Sequence, residues 1–377
     1  MILLVYNFFG SSFPKIMIRL LFLIPLLFSL VENTYGETFR IYSPSSKEKK
    51  LWVVLATPSE DKLNLKVAEK VDLGFSGRVI TAHPSEPLLY VTATGGDPGK
   101  VPGAVVFLNE DGSYQKHQKV NFNDGACYLS LDKGNRHLLG VSYGNGRLNV
   151  YPLDDHGIPG RAVTTVDEGK HQAHCILLPP DGMNVYIPYV KENLAILQYA
   201  YNGRTGRLTP LEPKDAKPPL GSGPRHMAYH PTLPMVYFSN EQGIGLSSYR
   251  REANGQLKVE QDISILPAGM SKIGLSASDL LITQDGKFLF AGLRGHRQDF
   301  DRISRYRVLE DGKAEFLGLT KADKIPWGLT LSPRGKFLLV TATNGASLTA
   351  YRISSLGNLR KVGMLAWDPR MSDLVTR

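Results

Sequence analysis

Six stretches of this 377-residue chain repeat one plan: a strand, a tight turn, and a second strand rich in branched or aromatic residues. They cover residues 78–94, 126–142, 174–190, 225–241, 278–294 and 327–343. Asp132-Lys133-Gly134, Pro180-Asp181-Gly182 and Gln284-Asp285-Gly286 supply residues that accept turn geometry. The runs that follow them, such as His137-Leu138-Leu139 and Phe288-Leu289-Phe290, are β-formers. The turn centres fall at Ser85, Lys133, Asp181, Thr232, Asp285 and Arg334, so successive centres lie 48, 48, 51, 53 and 49 residues apart. A period of roughly 40–50 residues is that of propeller blades. No helix-period pattern persists after about Phe39.

A third strand follows each hairpin, as in Leu148-Asn149-Val150-Tyr151. A fourth region often carries Gly-x-Leu, as in Gly206-Arg207-Leu208 and Gly255-Gln256-Leu257. Four strands per repeat is the blade pattern. Residues 51–71 and 359–367 remain, and together they predict a seventh blade built from both ends of the chain. Such a closure removes free sheet edges. The expected fold is therefore all-β: a seven-bladed β-propeller with four antiparallel strands per blade, one domain over residues 37–377, closed by N- and C-terminal strands.

In a hairpin, the start of the first strand and the end of the second lie at the same end. Seven residues before each turn centre stand Arg78, Ala126, His174, Arg225, Ser278 and Trp327. The next column reads Val79, Cys127, Cys175, His226, Asp279 and Gly328, and nine residues after the centre come Thr94, Ser142, Val190, Glu241, Arg294 and Thr343. In a propeller these columns become rings around one mouth, with His171 and His296 in the adjoining loops. Arginines suit carboxylate or phosphate, because the planar fork donates paired hydrogen bonds. A histidine beside a carboxylate activates water as a general base, and arginines stabilise the oxyanion that forms. His226, Glu241 and Arg225 are thus the candidate catalytic group. Arg294, Arg78, His174, His171, Asp279 and His296 are the candidate substrate contacts.

Composition narrows the alternatives. The net charge is +9, but Lys and Arg are scattered, and no basic run alternates with aromatics as a nucleic-acid surface would. Cys127 and Cys175 are too few for a disulfide framework and form no Cys-x-x-Cys motif. Gly140-Val141-Ser142-Tyr143-Gly144 matches a nucleophile elbow, but that chemistry needs a strand-to-helix turn, and here the serine ends a strand of a repeat. His171-x-x-His174 lacks a third ligand at fitting spacing, so no metal is expected. No phosphate-cradling or dinucleotide glycine loop is present, and no cofactor is expected.

Lys15 and Arg19 precede an apolar run over residues 20–31, followed by Glu32, Asn33, Thr34, Tyr35 and Gly36. This is the layout of a secretory signal, and the apolar run is short of the ~20 residues a membrane span needs. Residues 1–36 are read as a signal peptide, which makes the mature protein exported, to a periplasm or beyond the cell, with no other membrane segment.

Gly221-Ser222-Gly223-Pro224-Arg225-His226-Met227 with His230-Pro231 and Asn240-Glu241 resembles the lactonase propellers typified by bacterial 6-phosphogluconolactonase. His171-x-x-His174, Tyr143-Gly144-Asn145-Gly146, Ala277-x-Asp279 and Arg294-Gly295-His296 extend the resemblance over essentially everything after the signal. It implies a seven-bladed propeller that hydrolyses sugar lactones without a metal. Two positions depart from the family pattern: Leu281 stands where the family usually has histidine, and Trp327 where it usually has arginine. The expected partner is a small anionic or sugar-derived lactone, not nucleic acid. A non-enzymatic propeller that binds a ligand or a protein, and a lactonising enzyme similar to carboxy-muconate cyclase, remain as alternatives.

Overall fold

The structure, a computed structural model, describes residues 36–368 and 370–377. The signal-peptide expectation lies outside the described residues. Five of the six hairpins pair as the repeat predicts, each supplying the two inner strands of one blade. Pro224–Tyr229 pairs with Met235–Asn240, which pairs with Gly245–Arg251, which pairs with Leu257–Ser264. The blades at Val79–Ala82, Tyr128–Leu131, Leu275–Ile282 and Pro326–Leu331 follow the same antiparallel order. Inner strands of successive blades are neighbours around the ring. Among the described residues there is no α-helix, only a 3-10 turn at Lys191–Asn193.

Second strands such as Leu88–Thr92, Asn184–Tyr189 and Phe337–Ala342 are buried at every residue, because a neighbouring blade covers each face. That is why they read as continuous apolar runs. Leu63–Asp72, an outer strand, alternates instead between covered and exposed residues. Between blades, Tyr186 Oη donates to the carbonyl of Gly255 at 2.6 Å, and Tyr237 Oη to that of Gly312 at 2.8 Å. Each fastens a second strand to the outer turn of the following blade. A net contribution of about 0.5–1.5 kcal/mol per bond is typical.

Two blades differ from expectation. In the blade built on residues 174–190, the inner segment makes only isolated bridges, Ala173 to Tyr189 and Leu177 to Tyr186. Pro179, Pro180 and Pro188 lie in this hairpin and donate no backbone hydrogen bonds. His174 is still anchored, its N–H donating to the Pro188 carbonyl at 3.0 Å. In the closing blade, Phe39–Ser45, Lys50–Pro58 and Leu63–Asp72 are joined not by residues 359–367 but by Val375–Thr376 on the inner side. Leu359–Ala366 instead completes the preceding blade, paired with Ser347–Ile353. The true closing strand is two residues long, too short to show a pattern in sequence.

Candidate functional site

In three blades the inner hairpin changes register where the ring residues stand: between Pro224 and Met227, Ala277 and Leu280, and Pro326 and Leu329. A regular strand sends successive side chains to opposite faces, whereas a bulge re-aims them. This lets the consecutive residues Arg225 and His226 both line the central cavity. The amides freed by the bulge find side-chain acceptors. His226 N–H donates to Ser239 Oγ at 3.2 Å, and Gly328 N–H to Thr341 Oγ1 at 2.9 Å.

The cavity measures about 880 Å3. Arg225 is fully buried in its wall. Its Nε lies 3.1 Å from Glu241 Oε2, an ion-pair distance without hydrogen-bond alignment, so Nε and Nη1 have no hydrogen-bond partner. Arg294 Nη2 donates to the Ala277 carbonyl at 2.7 Å and lies 3.6 Å from Glu241 Oε1, while its Nε has no partner. Burial, and then repulsion from Arg225, pull the Arg294 pKa down to about 9 against the attraction of Glu241. Arg78 is half-buried and donates to Ser372 Oγ at 3.3 Å. Burial and Arg225 hold its pKa below the usual arginine range. The indole of Trp327 faces all three guanidiniums, whose central carbons lie 5.6 Å (Arg78), 5.7 Å (Arg225) and 4.6 Å (Arg294) from the ring centre.

A second cluster runs across three blades. His226 Nδ1 lies 2.6 Å from Asp279 Oδ1, and His226 Nε2 lies 3.2 Å from His174 Nδ1. Asp279 also accepts from its neighbours: Oδ1 from Leu280 N–H at 2.9 Å, and Oδ2 from Leu329 N–H at 2.8 Å. A carboxylate only accepts, so His226 donates from Nδ1 and its Nε2 accepts from His174 Nδ1–H. His174 Nε2 is then left with a free lone pair. Burial, then the charge of Arg225, lowers the His226 pKa to about 4 despite the pull of Asp279. Burial, Arg225 and His226 likewise hold His174 well below the ordinary histidine range. Both rings are neutral at pH 7.

Residues 43–367 match the family model described as a lactonase, 7-bladed beta-propeller. The chain belongs to this lactonase family. It is 27% identical over 332 residues to the 6-phosphogluconolactonase of Pectobacterium carotovorum, covering 86% of this chain and 94% of that one. It is also 27% identical to the 6-phosphogluconolactonase of Klebsiella pneumoniae strain 342, over 84% of this chain and 91% of the relative. Among solved structures, the periplasmic gluconolactonase of Pseudomonas aeruginosa superimposes with a TM-score of 0.77 at 20% identity, covering 90% of this chain and 99% of that one, and so shares the fold.

Within this lactonase ring, Arg78, His174, Arg225, His226, Glu241, Asp279, Arg294 and His296 all line the cavity. His296 sits at the exposed rim, with Nε2 2.8 Å from Ser276 Oγ. His171 does not line it; that ring is exposed and pairs through Nδ1 with the Gly144 carbonyl at 2.7 Å. Glu241, grouped with His226 in the sequence, faces Arg225 and Arg294 instead, and the carboxylate at His226 is Asp279. The reason is reach across the ring: Asp279 occupies the same column as His226 one blade on. Tyr143 and Lys191 were not assigned from sequence. Both line the cavity, with Lys191 Nζ 5.5 Å from the Tyr143 ring centre. They stand ten residues after their turn centres, one position beyond the column that holds Glu241. Asp373, also in the wall, lies two residues before the closing strand and has no repeat to mark it. Its Oδ2 accepts from Ile80 N–H at 2.9 Å, and burial raises its pKa to about 7.

Proposed function

We propose that this protein hydrolyses a sugar lactone or a related acidic lactone at the central mouth of the propeller. The observation that carries the reading is Arg225: a buried guanidinium in the cavity wall with two nitrogens lacking a hydrogen-bond partner. Buried donors are normally satisfied, so Arg225 keeps unspent hydrogen-bonding capacity beside the cavity. In this reading the lactone carbonyl oxygen sits before Arg225 and Arg294, and Glu241 holds the two guanidiniums in place. His174 Nε2 takes a proton from water as the water oxygen bonds to the carbonyl carbon. The carbonyl electron pair moves onto oxygen, where the arginines stabilise it. Collapse of this intermediate breaks the acyl–oxygen bond of the ring, and the leaving oxygen recovers the proton from His174. The product is the open hydroxy acid. His226 acts through His174, with Asp279 fixing its tautomer.

The names of the relatives, 6-phosphogluconolactonase and gluconolactonase, support this reaction class. We further infer that the mature protein works outside the cytoplasm, from the signal-like residues 1–36. There it would meet lactones without phosphate more readily than phosphorylated ones. The test is proton release from a panel of aldonolactones and acidic lactones by purified protein, against spontaneous opening in buffer. Catalysed opening of one of them is expected. A panel opened no faster with protein than without it overturns the proposal.

A further inference from the structure

We infer that Trp327 is the specificity-determining residue of this site: it selects a lactone without phosphate, whose ring lies face-on against the indole while the three arginines grip its oxygens. This deepens the lactone-hydrolase reading and rests on it for the chemistry. The indole is half-buried in the cavity wall, with guanidinium carbons of Arg78, Arg225 and Arg294 all within 5.7 Å of its ring centre. Cations within about 6 Å of an aromatic face are attracted to it. Three mutually repelling guanidiniums are thus held around one neutral ring, and Arg225 Nε and Nη1 and Arg294 Nε still lack hydrogen-bond partners.

The charges argue against a phosphate dianion. Glu241 stands 3.1 Å from Arg225 and 3.6 Å from Arg294, which offsets much of their charge. Among the described residues two cavity cations, Arg78 and Lys191, have no carboxylate at ion-pair distance, Arg78 Nε contacting a serine, while Asp279 and Asp373 add acidic groups to the same wall. A phosphate monoester carries a charge of about −1.5 to −2 and three acceptor oxygens. Trp327 fills a ring position with apolar surface where a further cation would have served such a group. What the indole offers is a flat apolar face, which suits the C–H face of a sugar-derived ring. The arginines beside it suit hydroxyl, carbonyl or single carboxylate oxygens.

Two measurements test this. In the first, kcat/KM is compared for glucono-δ-lactone and its 6-phosphate with the wild type, Trp327→Phe, Trp327→Ala and Trp327→Arg. Loss of the aromatic face in Trp327→Ala should raise KM for the unphosphorylated lactone about tenfold with little change in kcat. Trp327→Phe should recover most of that loss. Trp327→Arg should shift the ratio toward the phosphorylated lactone by about tenfold or more. If the wild type opens lactones but the ratio stays level in the alanine and arginine variants, the inference fails while the lactonase reading stands.

The second measurement needs no turnover. Trp52 and Trp367 pack against each other, ring centres 5.5 Å apart, in an apolar cluster away from the cavity. Gluconate should therefore quench the fluorescence of Trp327 saturably, the 6-phosphate more weakly, and neither should quench Trp327→Phe. Quenching favoured by the phosphate, or none by either, overturns the inference even in a protein that opens no lactone.

Discussion

Asp279 Oδ1 lies 2.6 Å from His226 Nδ1, so a carboxylate on the inner strand Leu275–Ile282 fixes the tautomer of a histidine on Pro224–Tyr229, the inner strand of the preceding blade. The consequence travels one blade further, because His226 Nε2 lies 3.2 Å from His174 Nδ1. The protonation pattern of three blades is set by one carboxylate.

Asp279→Asn tests that chain. The asparagine oxygen can still accept from Leu329 N–H, while its amide turns a donor toward His226 Nδ1. His226 must then carry its proton on Nε2, and His174 Nδ1 becomes the acceptor. The His174 proton moves to Nε2 and the base is lost. The expected outcome is a fall in kcat of about 10^2–10^4, the usual size of a general-base contribution, with KM nearly unchanged. Steady-state kinetics decide it; a kcat within a factor of about three of wild type would remove His174 from the base role.

Arg225 carries the proposed oxyanion contact. Arg225→Ala should lower kcat/KM by about 10^2–10^3, the loss seen when an oxyanion donor is removed. Arg225→Lys should not rescue it, because a single ammonium cannot reproduce a planar fork that faces Glu241 and the cavity together. Thermal unfolding of both variants separates this effect from misfolding, since alanine leaves Glu241 without its nearest cation.

The pH dependence follows from the shifted groups. With His226 at about 4 and His174 held well below the ordinary histidine value, kcat/KM should show no loss as pH falls through 6.5, where an ordinary histidine base would become protonated. Asp373, raised to about 7, becomes charged above that pH and adds a negative charge to the cavity. KM for an anionic lactone should rise between pH 6 and 8, and Asp373→Asn should abolish that rise. Stability changes with opposite signs at the two groups. The unfolded His226 takes its proton near 6.5 and the folded one near 4, so its contribution is full above 6.5 and is lost as pH falls toward 4. The contribution of Asp373 is full below 3.8 and is lost as pH rises through 7. Urea midpoints across pH 4–8 for wild type, His226→Gln and Asp373→Asn would resolve both slopes.

The blades were legible because their second strands are covered on both faces and so carry unbroken apolar runs at a fixed period. The mouth was legible because strand ends repeat in columns, which put Arg78, His174, Arg225, Glu241 and Arg294 around one opening. Columns say which rim a residue occupies, not which neighbour it touches. Sequence alone therefore pairs Glu241 with His226, at the same end of its own hairpin, although Asp279 one blade on is the residue in contact. The bulges at Arg225-His226 and Trp327-Gly328 leave no sequence mark, because the amides they free are taken up by an ordinary serine and threonine. Trp327 read in sequence as a missing cation; its position against three guanidiniums emerges only when the ring is closed.

Closure itself rests on the last few residues. Val375–Thr376 pairs with Tyr42 and Ile41, and the Arg40 and Arg377 backbones exchange hydrogen bonds at 2.7 and 3.0 Å. Thr376 Oγ1 donates to the Leu331 carbonyl at 2.7 Å, and the Arg377 guanidinium reaches the Glu86 carbonyl. The segment thus ties the closing blade to both of its neighbours. Deleting residues 373–377 would strip the inner edge of Phe39–Ser45 and remove the acceptor of the Ile80 amide. An unpaired strand edge invites association with other chains. The shortened protein should unfold at lower temperature and aggregate at concentrations where the full chain stays monodisperse. Thermal scans with light scattering would show this, and an unchanged melting curve would mean that the ring is held shut elsewhere.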